Sequence, residues 1–220
     1  VRMNELRKGR INVILETNPM DRASVQKIKE IDINSFMPYA FYSVEINTKL
    51  FPKAEARQAM AMALDRAKLV PGITDAEEGV VLNAGAYPAN IFQVNCPEYF
   101  NEPLPEVLSY DLNKAKRLAK AGELTGQNAI LIYPDSMGDF GKQLAEGVAA
   151  QLEEIGLTVE VKRTGEQVYN RMVYKEQSFE LALTYHDGFD NVYSSLSEMY
   201  SSKGSQNITG ISDKKINNLF

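Results

Sequence analysis

The sequence predicts an α/β domain in which helices flank a largely parallel central sheet. Short apolar or alternating runs at 128–133, 157–162 and 179–185 are typical of strands, and helical patterns fill the two intervals between them. A strand–helix–strand–helix–strand order favours parallel pairing with right-handed crossovers. Hydrophobic residues make up 44% of the chain and charged residues 24%, as in an ordinary globular domain.

The first half of the chain predicts a mixture of helices and one strand. A helix ends at Gly9, and a second helix runs from Asn18 or Asp21 to about Lys29. A strand rich in aromatic and β-branched residues lies within 36–47. Alanine and methionine recur at helical spacing over 54–70, which predicts a helix with one closely packed face. Prolines and glycines interrupt residues 71–109, so we expect a long irregular segment there.

The second half predicts three helices between and before the strands. One helix covers 110–122, with Asp111 as its N-cap and Gly122 just past its end. Another runs from about Phe140 and closes at Gly156, and a third covers about 165–177. Near the carboxyl end, Ser212 is expected to cap a helix that has only begun at residue 220. The chain also starts inside a helical pattern. We therefore expect residues 1–220 to be an excised single lobe of a larger protein.

Composition and charge exclude several classes of function. The net charge of −5 and the isoelectric point near 5.1 leave no basic surface that could bind nucleic acid. No apolar run approaches the roughly 18–20 residues that a membrane helix requires. Cys96 is the single cysteine, so the chain forms no internal disulfide, and an inert thiol is the simpler interpretation of it.

The segment NTKLFPKAEARQAMAMALDRAKLV (47–70) carries the clearest resemblance to a known family. It resembles the signature of the peptide-type solute-binding proteins of ABC importers, which include the oligopeptide- and dipeptide-binding proteins. The matching residues are Asn47, Pro52, Arg57, Ala59, Ala63, Asp65 and Arg66. The segments YDLNKAKRLAKAG, LAEGVAAQLEEIGLTVEV and FELALTYHDGFDN resemble further family motifs in the family's order.

This resemblance implies a fold and a function. The chain would be the second of two lobes of a periplasmic-binding-protein type II fold, with a crossover between the lobes within 1–47 and an irregular insertion at 71–109. It would bind a peptide or another small molecule for an ABC permease, without cofactor and without bond chemistry. It would be a monomer, periplasmic or extracellular, with membrane contact only through the permease or a lipid anchor outside this chain. A peptide-sensing receptor with the same fold is an alternative, and since the family also binds metal chelates, haem, sugars and opines, the ligand stays open.

The segment YHDGFDN (185–191) is the leading candidate site. Tyr185, His186, Asp187, Phe189 and Asp190 follow a predicted strand, and ligands of open α/β sheets bind at the carboxyl ends of strands. The resemblance implies that an aspartate here pairs with the ligand's α-amino group. The family's aspartate falls at Phe189 in an ungapped comparison, so we expect Asp190, or failing that Asp187, to take this role, while His186 stands where the family has tryptophan.

Two further interpretations concern the same region. Tyr39 and Tyr42 precede Asn47 on the predicted strand and are candidates for an aromatic wall of the ligand cleft. Asp187 and Asp190 could instead be loop carboxylates that cap a helix starting at Val192. A metal-dependent or acid–base hydrolase using His186, Asp187 and Asp190 is the rival function, although the chain has no second histidine and no nucleophile motif. Arg57, Asp65 and Arg66 are expected to be structural charges.

Overall fold

The computed structural model describes residues 2–14, 25–29, 31–33, 41–69, 108–187 and 191–220. The chain divides into two compact units, Val1–Phe36 and Met37–Phe220. In the first unit, helix α1 spans Arg2–Arg7 and is followed by Gly9 at a φ of 65°, which confirms the predicted helix end. Most of the predicted helix over 18–29 and most of the segment 71–109 lie outside the described residues, as does Cys96.

The second unit contains the α/β domain. Its elements are β1 (Phe41–Ile46), α2 (Ala54–Ala63), α3 (Arg66–Leu69), α4 (Leu112–Ala121), β2 (Asn128–Pro134), α5 (Gly138–Glu153), β3 (Thr158–Thr164), α6 (Glu166–Asn170), β4 (Leu181–His186), α7 (Val192–Tyr200) and α8 (Lys214–Asn217). A 3₁₀ turn at Asp135–Met137 joins β2 to α5, and a π-helix at Arg171–Glu176 continues α6. No helix in the described part of the chain has the length and hydrophobicity that a membrane span requires.

The four strands form one sheet in the order β1-β4-β2-β3. Strand β2 pairs in parallel with both β3 and β4, which confirms the predicted parallel core of the sheet. Strand β1 pairs antiparallel with β4, so that Phe41 lies opposite His186 and Ile46 opposite Leu181. The sheet is therefore mixed, with an antiparallel strand at one edge.

Hydrophobic clusters cover both faces of the sheet. The larger cluster lies on the face of Leu131 and Leu183 and includes side chains from α2, α4 and α5. The smaller one lies on the opposite face, where Ile132 and Ala182 pack with Val173 of the π-helix. The helices on the two faces explain why most residues of β2 and β4 are buried on both faces rather than alternating between buried and exposed.

The predicted helix over 54–70 is interrupted, which the helical spacing alone did not indicate. Leu64 adopts an extended conformation with φ −86° and ψ 105°, so α2 and α3 are separate helices. The side chain of Gln151 on α5 accepts a hydrogen bond from the Asp65 N–H at 2.7 Å and donates one to the Asp65 carbonyl at 3.2 Å. A distant side chain thus satisfies the backbone groups that the interruption frees.

The predicted helix over 165–177 changes its winding halfway. After α6 the chain continues as a π-helix, and Gln177 ends it in the left-handed conformation with a φ of 50°. This places Val173 in the core with no exposed surface. The cap predicted for α4 is confirmed, because the Asp111 side chain accepts a hydrogen bond from the Lys114 N–H. The cap predicted for α8 is wrong by one residue, because Asp213 and not Ser212 caps this helix.

The residues of the 47–70 signature have structural roles. Asn47 is buried, and its side-chain amide donates to the carbonyls of Gln177 and Phe179 at 2.9 and 2.8 Å. Arg57 donates to the carbonyls of Phe51 and Pro52, at the turn before α2. The prediction of structural charges is thereby confirmed for Arg57, although its partners are carbonyls and not carboxylates.

Candidate functional site

A cavity of about 290 Å³ opens at the carboxyl ends of β2 and β4. Its lining comprises Tyr42, Pro134, Ser136, Met137, Glu166, Tyr169, Asn170, Tyr174, Thr184 and Tyr185. Pro134 is the last residue of β2, and Glu166 is the first residue of α6 after β3. The cavity therefore lies at the edge of the sheet where the three parallel strands end.

The order of the strands produces this cavity. From β2 the chain passes through α5, on the face of the larger cluster, to β3. From β3 it returns through α6 and the π-helix, on the opposite face, to β4 on the other side of β2. Because the connections that leave the neighbouring strands β2 and β3 pass to opposite faces of the sheet, a crevice forms at the carboxyl ends of the strands, which is the usual ligand position in an open α/β sheet.

Aromatic rings form one wall of the cavity. Tyr42 and Tyr185 lie opposite each other in the β1–β4 ladder, with ring centroids 5.0 Å apart and planes inclined by 48°. Tyr42 also contacts Phe140 of α5, at a centroid distance of 5.0 Å. Tyr42 and Tyr185 are each 43% exposed although they belong to paired strands.

Two further tyrosines come from α6 and the π-helix. Tyr169 is buried and its hydroxyl contacts the Leu183 carbonyl at 2.8 Å and the Thr184 hydroxyl at 2.9 Å, which fixes α6 to β4. Burial raises the pKa of Tyr169. Tyr174 is 39% exposed, and its pKa is also raised, first by partial burial and then by the negative charges of Glu45, Glu166 and Asp187. Carboxylates thus lie around Tyr174 at this end of the sheet.

His186 belongs to a buried polar cluster rather than to the cavity wall. Its Nε2 atom lies 2.9 Å from the Ser43 hydroxyl and 2.9 Å from a carboxylate oxygen of Glu45. The Phe41 ring stacks on the imidazole with centroids 4.9 Å apart. The side chains of His186 and Glu45 are only 8% and 13% exposed. The cluster joins β1 to β4 and is largely shielded from solvent.

This geometry does not support hydrolysis. A serine–histidine–acid relay uses both imidazole nitrogens, one for the nucleophile and one for the acid. In this protein Ser43 and Glu45 both approach the same nitrogen of His186, and the Ser43 hydroxyl donates to Glu45 as well. Among the described residues there is no group of three His, Cys, Asp or Glu side chains that could hold a metal ion.

The remaining predicted site residues have different outcomes. Asp187 is exposed and immediately follows β4. The cap of α7 is Asn191, which accepts from the Ser194 N–H at 3.0 Å, so the capping role considered for Asp187 belongs to a neighbour. Tyr39, Phe189 and Asp190 lie outside the described residues.

The sequence analysis missed Glu166, Tyr169 and Tyr174, which contribute to the cavity. A signal was available for Glu166, because it follows the β3 strand and therefore belongs to the same sheet edge as Tyr185. Tyr174 gave no such signal, since it lies in the π-helix that continues α6.

Comparisons with known proteins agree with this architecture. A family profile described as bacterial extracellular solute-binding proteins, family 5 Middle, matches residues 1–207. A comparison with curated proteins found no match.

Several solved structures share the fold. The ABC transporter substrate-binding protein CtaP from Listeria monocytogenes has a TM-score of 0.80 and 21% identity, over 98% of this chain and 43% of that one. DppA from Helicobacter pylori, in complex with the peptide STSA, has a TM-score of 0.76 and 20% identity, over 99% of this chain and 42% of that one. NikA from Staphylococcus aureus, in complex with Ni(L-His)2, has a TM-score of 0.75 and 11% identity, over 99% of this chain and 45% of that one. The chain thus spans less than half the length of these structures, and at such identities the likeness establishes the fold alone.

Proposed function

The chain belongs to family 5 of the bacterial extracellular solute-binding proteins, and from this premise we propose that it is the lobe of a receptor that binds a peptide for uptake by an ABC importer. Its fold is that of a lobe of a periplasmic binding protein, as the sequence predicts. The complete protein would be a periplasmic or extracellular monomer that delivers its ligand to a permease.

The tyrosine-lined cavity at the ends of β2 and β4 is the observation that carries this proposal. It combines ring surface with a few polar groups, as small-molecule sites do, and it lies where the sheet topology places ligands. A volume of about 290 Å³ accommodates one group of a ligand rather than a whole peptide. The rest of the ligand would be enclosed by another lobe of the complete protein.

The cycle of the receptor would be a hinge closure. A ligand that contacts both lobes favours the closed state only by the difference between its affinities for the closed and open states. The rings of Tyr42 and Tyr185 would supply such contacts, because they are half-exposed here and would lose water on closure. No residue of the lobe is assigned a catalytic role, since His186 is held in a buried cluster.

A direct test is to purify the complete protein under native conditions, release its ligand by denaturation and identify the ligand by mass spectrometry. The expected result is one or more peptides in stoichiometric amount. A different solute, such as a metal chelate, would keep the receptor function and reject the peptide. Turnover of the bound molecule by the purified protein would reject the receptor function itself.

The cavity can be tested with a matched pair of tyrosine variants. We expect Tyr185→Ala to weaken binding of the released ligand by about 1–2 kcal/mol, because the ring loses its buried contact with it. Tyr110→Ala is the control, since Tyr110 is 44% exposed, against 43% for Tyr185, and does not line the cavity. Equal calorimetric affinities for the two variants would place the ligand elsewhere.

A further inference from the structure

The side of α4 that faces solvent is basic. This helix, Leu112–Ala121, contains no acidic residue, and its charged residues Lys114, Lys116, Arg117 and Lys120 are all exposed. Since successive residues of an α-helix are turned by about 100°, the four cations share an exposed arc of about 160°. The sequence analysis inferred from the net charge of −5 that the chain has no basic surface for a polyanion, and α4 is a local exception to that inference.

The other side of α4 is buried within the domain. Ala115 and Ala119 have no exposed surface and belong to the larger hydrophobic cluster. Leu112 and Leu118 are partly buried and pack against the same cluster. Because its apolar residues are used in this way, the helix has none left to insert into a membrane or into the core of a protein interface. A partner of this face meets charge alone.

The four cations of α4 have no counter-ion within the described part of the chain. None of them forms an ion pair or a side-chain hydrogen bond with another residue that the structure describes. The carboxylates that flank the helix in sequence are engaged, since Asp111 caps α4 and Glu123 pairs with Lys53 at 2.6 Å. The six-residue step from Lys114 to Lys120 covers about 9 Å of helix, close to the Debye length at physiological ionic strength. The four charges therefore act on a partner together.

The composition of this face favours a lipid surface over a protein partner. Three of its four cations are lysines, and the other exposed residues of the helix are only Asn113 and Ala121. Protein interfaces are enriched in aromatic residues, methionine and arginine, and they are depleted in lysine. An anionic membrane surface requires no fixed hydrogen-bond geometry and attracts each lysine or arginine that lies within a Debye length of it. Flexible ammonium groups on a helix without exposed aromatic residues are suited to such a surface.

We propose that the exposed face of α4, formed by Lys114, Lys116, Arg117 and Lys120, binds peripherally to the anionic phospholipid headgroups of a membrane. The contact is electrostatic and reversible, because the apolar side of the helix stays in the domain. Since the chain as a whole is negative and is repelled by such a membrane, this face also determines which side of the lobe turns towards the lipid. None of the four cations lines the cavity, so the inference goes beyond ligand binding and does not depend on it.

The experiment measures how the complete polypeptide, prepared without any lipid anchor, sediments with vesicles. Vesicles of phosphatidylcholine alone are compared with vesicles that also contain an equal amount of phosphatidylglycerol. We expect binding only where phosphatidylglycerol is present. Raising the salt from about 0.05 M to about 0.5 M NaCl should reduce this binding by at least about tenfold, because the charges are screened.

Two double variants test whether α4 is the binding face. Lys116→Gln combined with Lys120→Gln should reduce binding to the anionic vesicles by about twentyfold, since each cation contributes about fivefold. Lys114→Gln combined with Arg117→Gln should have an effect of similar size. All four side chains are exposed, so thermal unfolding should be unchanged and should show that the variants are folded.

The matched control is Lys214→Gln combined with Lys215→Gln. These lysines are exposed neighbours on α8, and the double substitution changes the net charge by the same amount. Binding of this variant should stay within about twofold of the wild type.

Three results would overturn the inference: no binding to anionic vesicles at low salt, equal binding to both kinds of vesicle, or equal losses in the α4 variants and the control. A further arm uses the permease in discs of phosphatidylcholine. If the α4 variants lose binding to the permease but keep their binding to anionic vesicles, the face belongs to a protein partner and the inference is wrong. No ligand enters the vesicle assay, so its failure leaves the proposed receptor function intact.

Discussion

The side-chain amide of Asn47 joins chain segments that are 130 residues apart in sequence. It donates to two backbone carbonyls just before β4 and accepts a hydrogen bond from the Lys49 N–H at 3.0 Å. Asn47 is only 2% exposed, so no water can replace these hydrogen bonds. The asparagine that carries part of the family resemblance therefore positions β4, the strand that supports the cavity.

We expect Asn47→Ala to lower the free energy of unfolding by about 2–4 kcal/mol, because two buried carbonyls lose their donor. Asn47→Asp should also destabilise the protein, since a carboxylate has the same shape but cannot donate. Urea denaturation measures both, with Asn113→Ala on the exposed side of α4 as the control. A loss below about 0.5 kcal/mol for Asn47→Ala would show that the amide is not needed.

The carboxylates after β4 give a second prediction at the scale of residues. We expect Asp190→Asn, or failing that Asp187→Asn, to weaken binding of a cationic ligand by about 1.5–3 kcal/mol, because the charge is lost and the shape is kept. Calorimetry on the complete protein measures the affinity, and thermal unfolding of the free protein should change little. A lower melting temperature with unchanged affinity would instead indicate a structural role for the carboxylate.

At the scale of elements, Gly122, the residue after α4, packs closely against Ala56 of α2. A Cβ atom at this position would lie 2.5 Å from the backbone nitrogen of Ala56, which is closer than real contacts allow. We expect Gly122→Ala to force the two helices apart and to cost about 1–3 kcal/mol of stability. Thermal denaturation of this variant and of the control variant Gly147→Ala checks this prediction.

Gly147→Ala on α5 is the matched control. Its Cβ atom would meet only the end of the Leu69 side chain, at 3.2 Å, and that side chain can move. Since alanine favours a helix interior over glycine by about 1 kcal/mol, this variant should be neutral or slightly more stable. Equal losses in the two variants would mean that the contact with Ala56 has no special cost.

What the sequence predicted about the elements depends on how local their signals are. The cap at Asp111 and the helix that closes before Gly156 follow from signals within a few residues, and both are present. The interruption at Leu64 was not predicted, because its backbone groups are satisfied by Gln151, 86 residues further along the chain.

The same contrast holds for the candidate site. The edge of the sheet and Tyr185 could be predicted, because a strand signal followed by polar residues marks a carboxyl end. Tyr174 could not, because it faces the cavity only through the π-helix. His186 was predicted as a site residue but contributes to a buried cluster, since its partners Ser43 and Glu45 come from a strand whose antiparallel pairing the sequence did not indicate.

At the scale of the whole molecule, buried phenols predict a sensitivity to alkaline pH. Burial raises the pKa of both Tyr169 and Tyr200 above the value of about 10 that tyrosine has in an unfolded chain. Below pH 10 the phenols are protonated in both states and have no effect. Above pH 10 the unfolded chain releases protons that the folded chain retains, so the free energy of unfolding falls as the pH rises.

Urea denaturation between pH 8 and about 11.5 measures this fall, which is at most about 1.4 kcal/mol per pH unit for each buried tyrosine. Tyr169→Phe should be less stable than the wild type at pH 8, because it loses the hydrogen bonds to Leu183 and Thr184. Its stability should nevertheless decline less steeply above pH 10. Parallel declines in the two proteins would show that Tyr169 contributes nothing to the alkaline sensitivity.

The antiparallel pairing of β1 with β4 also determines how this sheet responds to mechanical force. The chain enters β1 at Phe41 and leaves β4 at His186, and these two residues are partners at the same edge of the sheet. A force that pulls the chain before Phe41 away from the chain after His186 loads the hydrogen bonds between β1 and β4 one pair at a time, starting at that edge. In shear, by contrast, all the pairs would be loaded together. The stacking of Phe41 on His186 and the bonds of His186 to Ser43 and Glu45 reinforce the first pairs to be loaded. The pairs of Phe41 with His186 and of Tyr42 with Tyr185 are therefore the first that such a force would open.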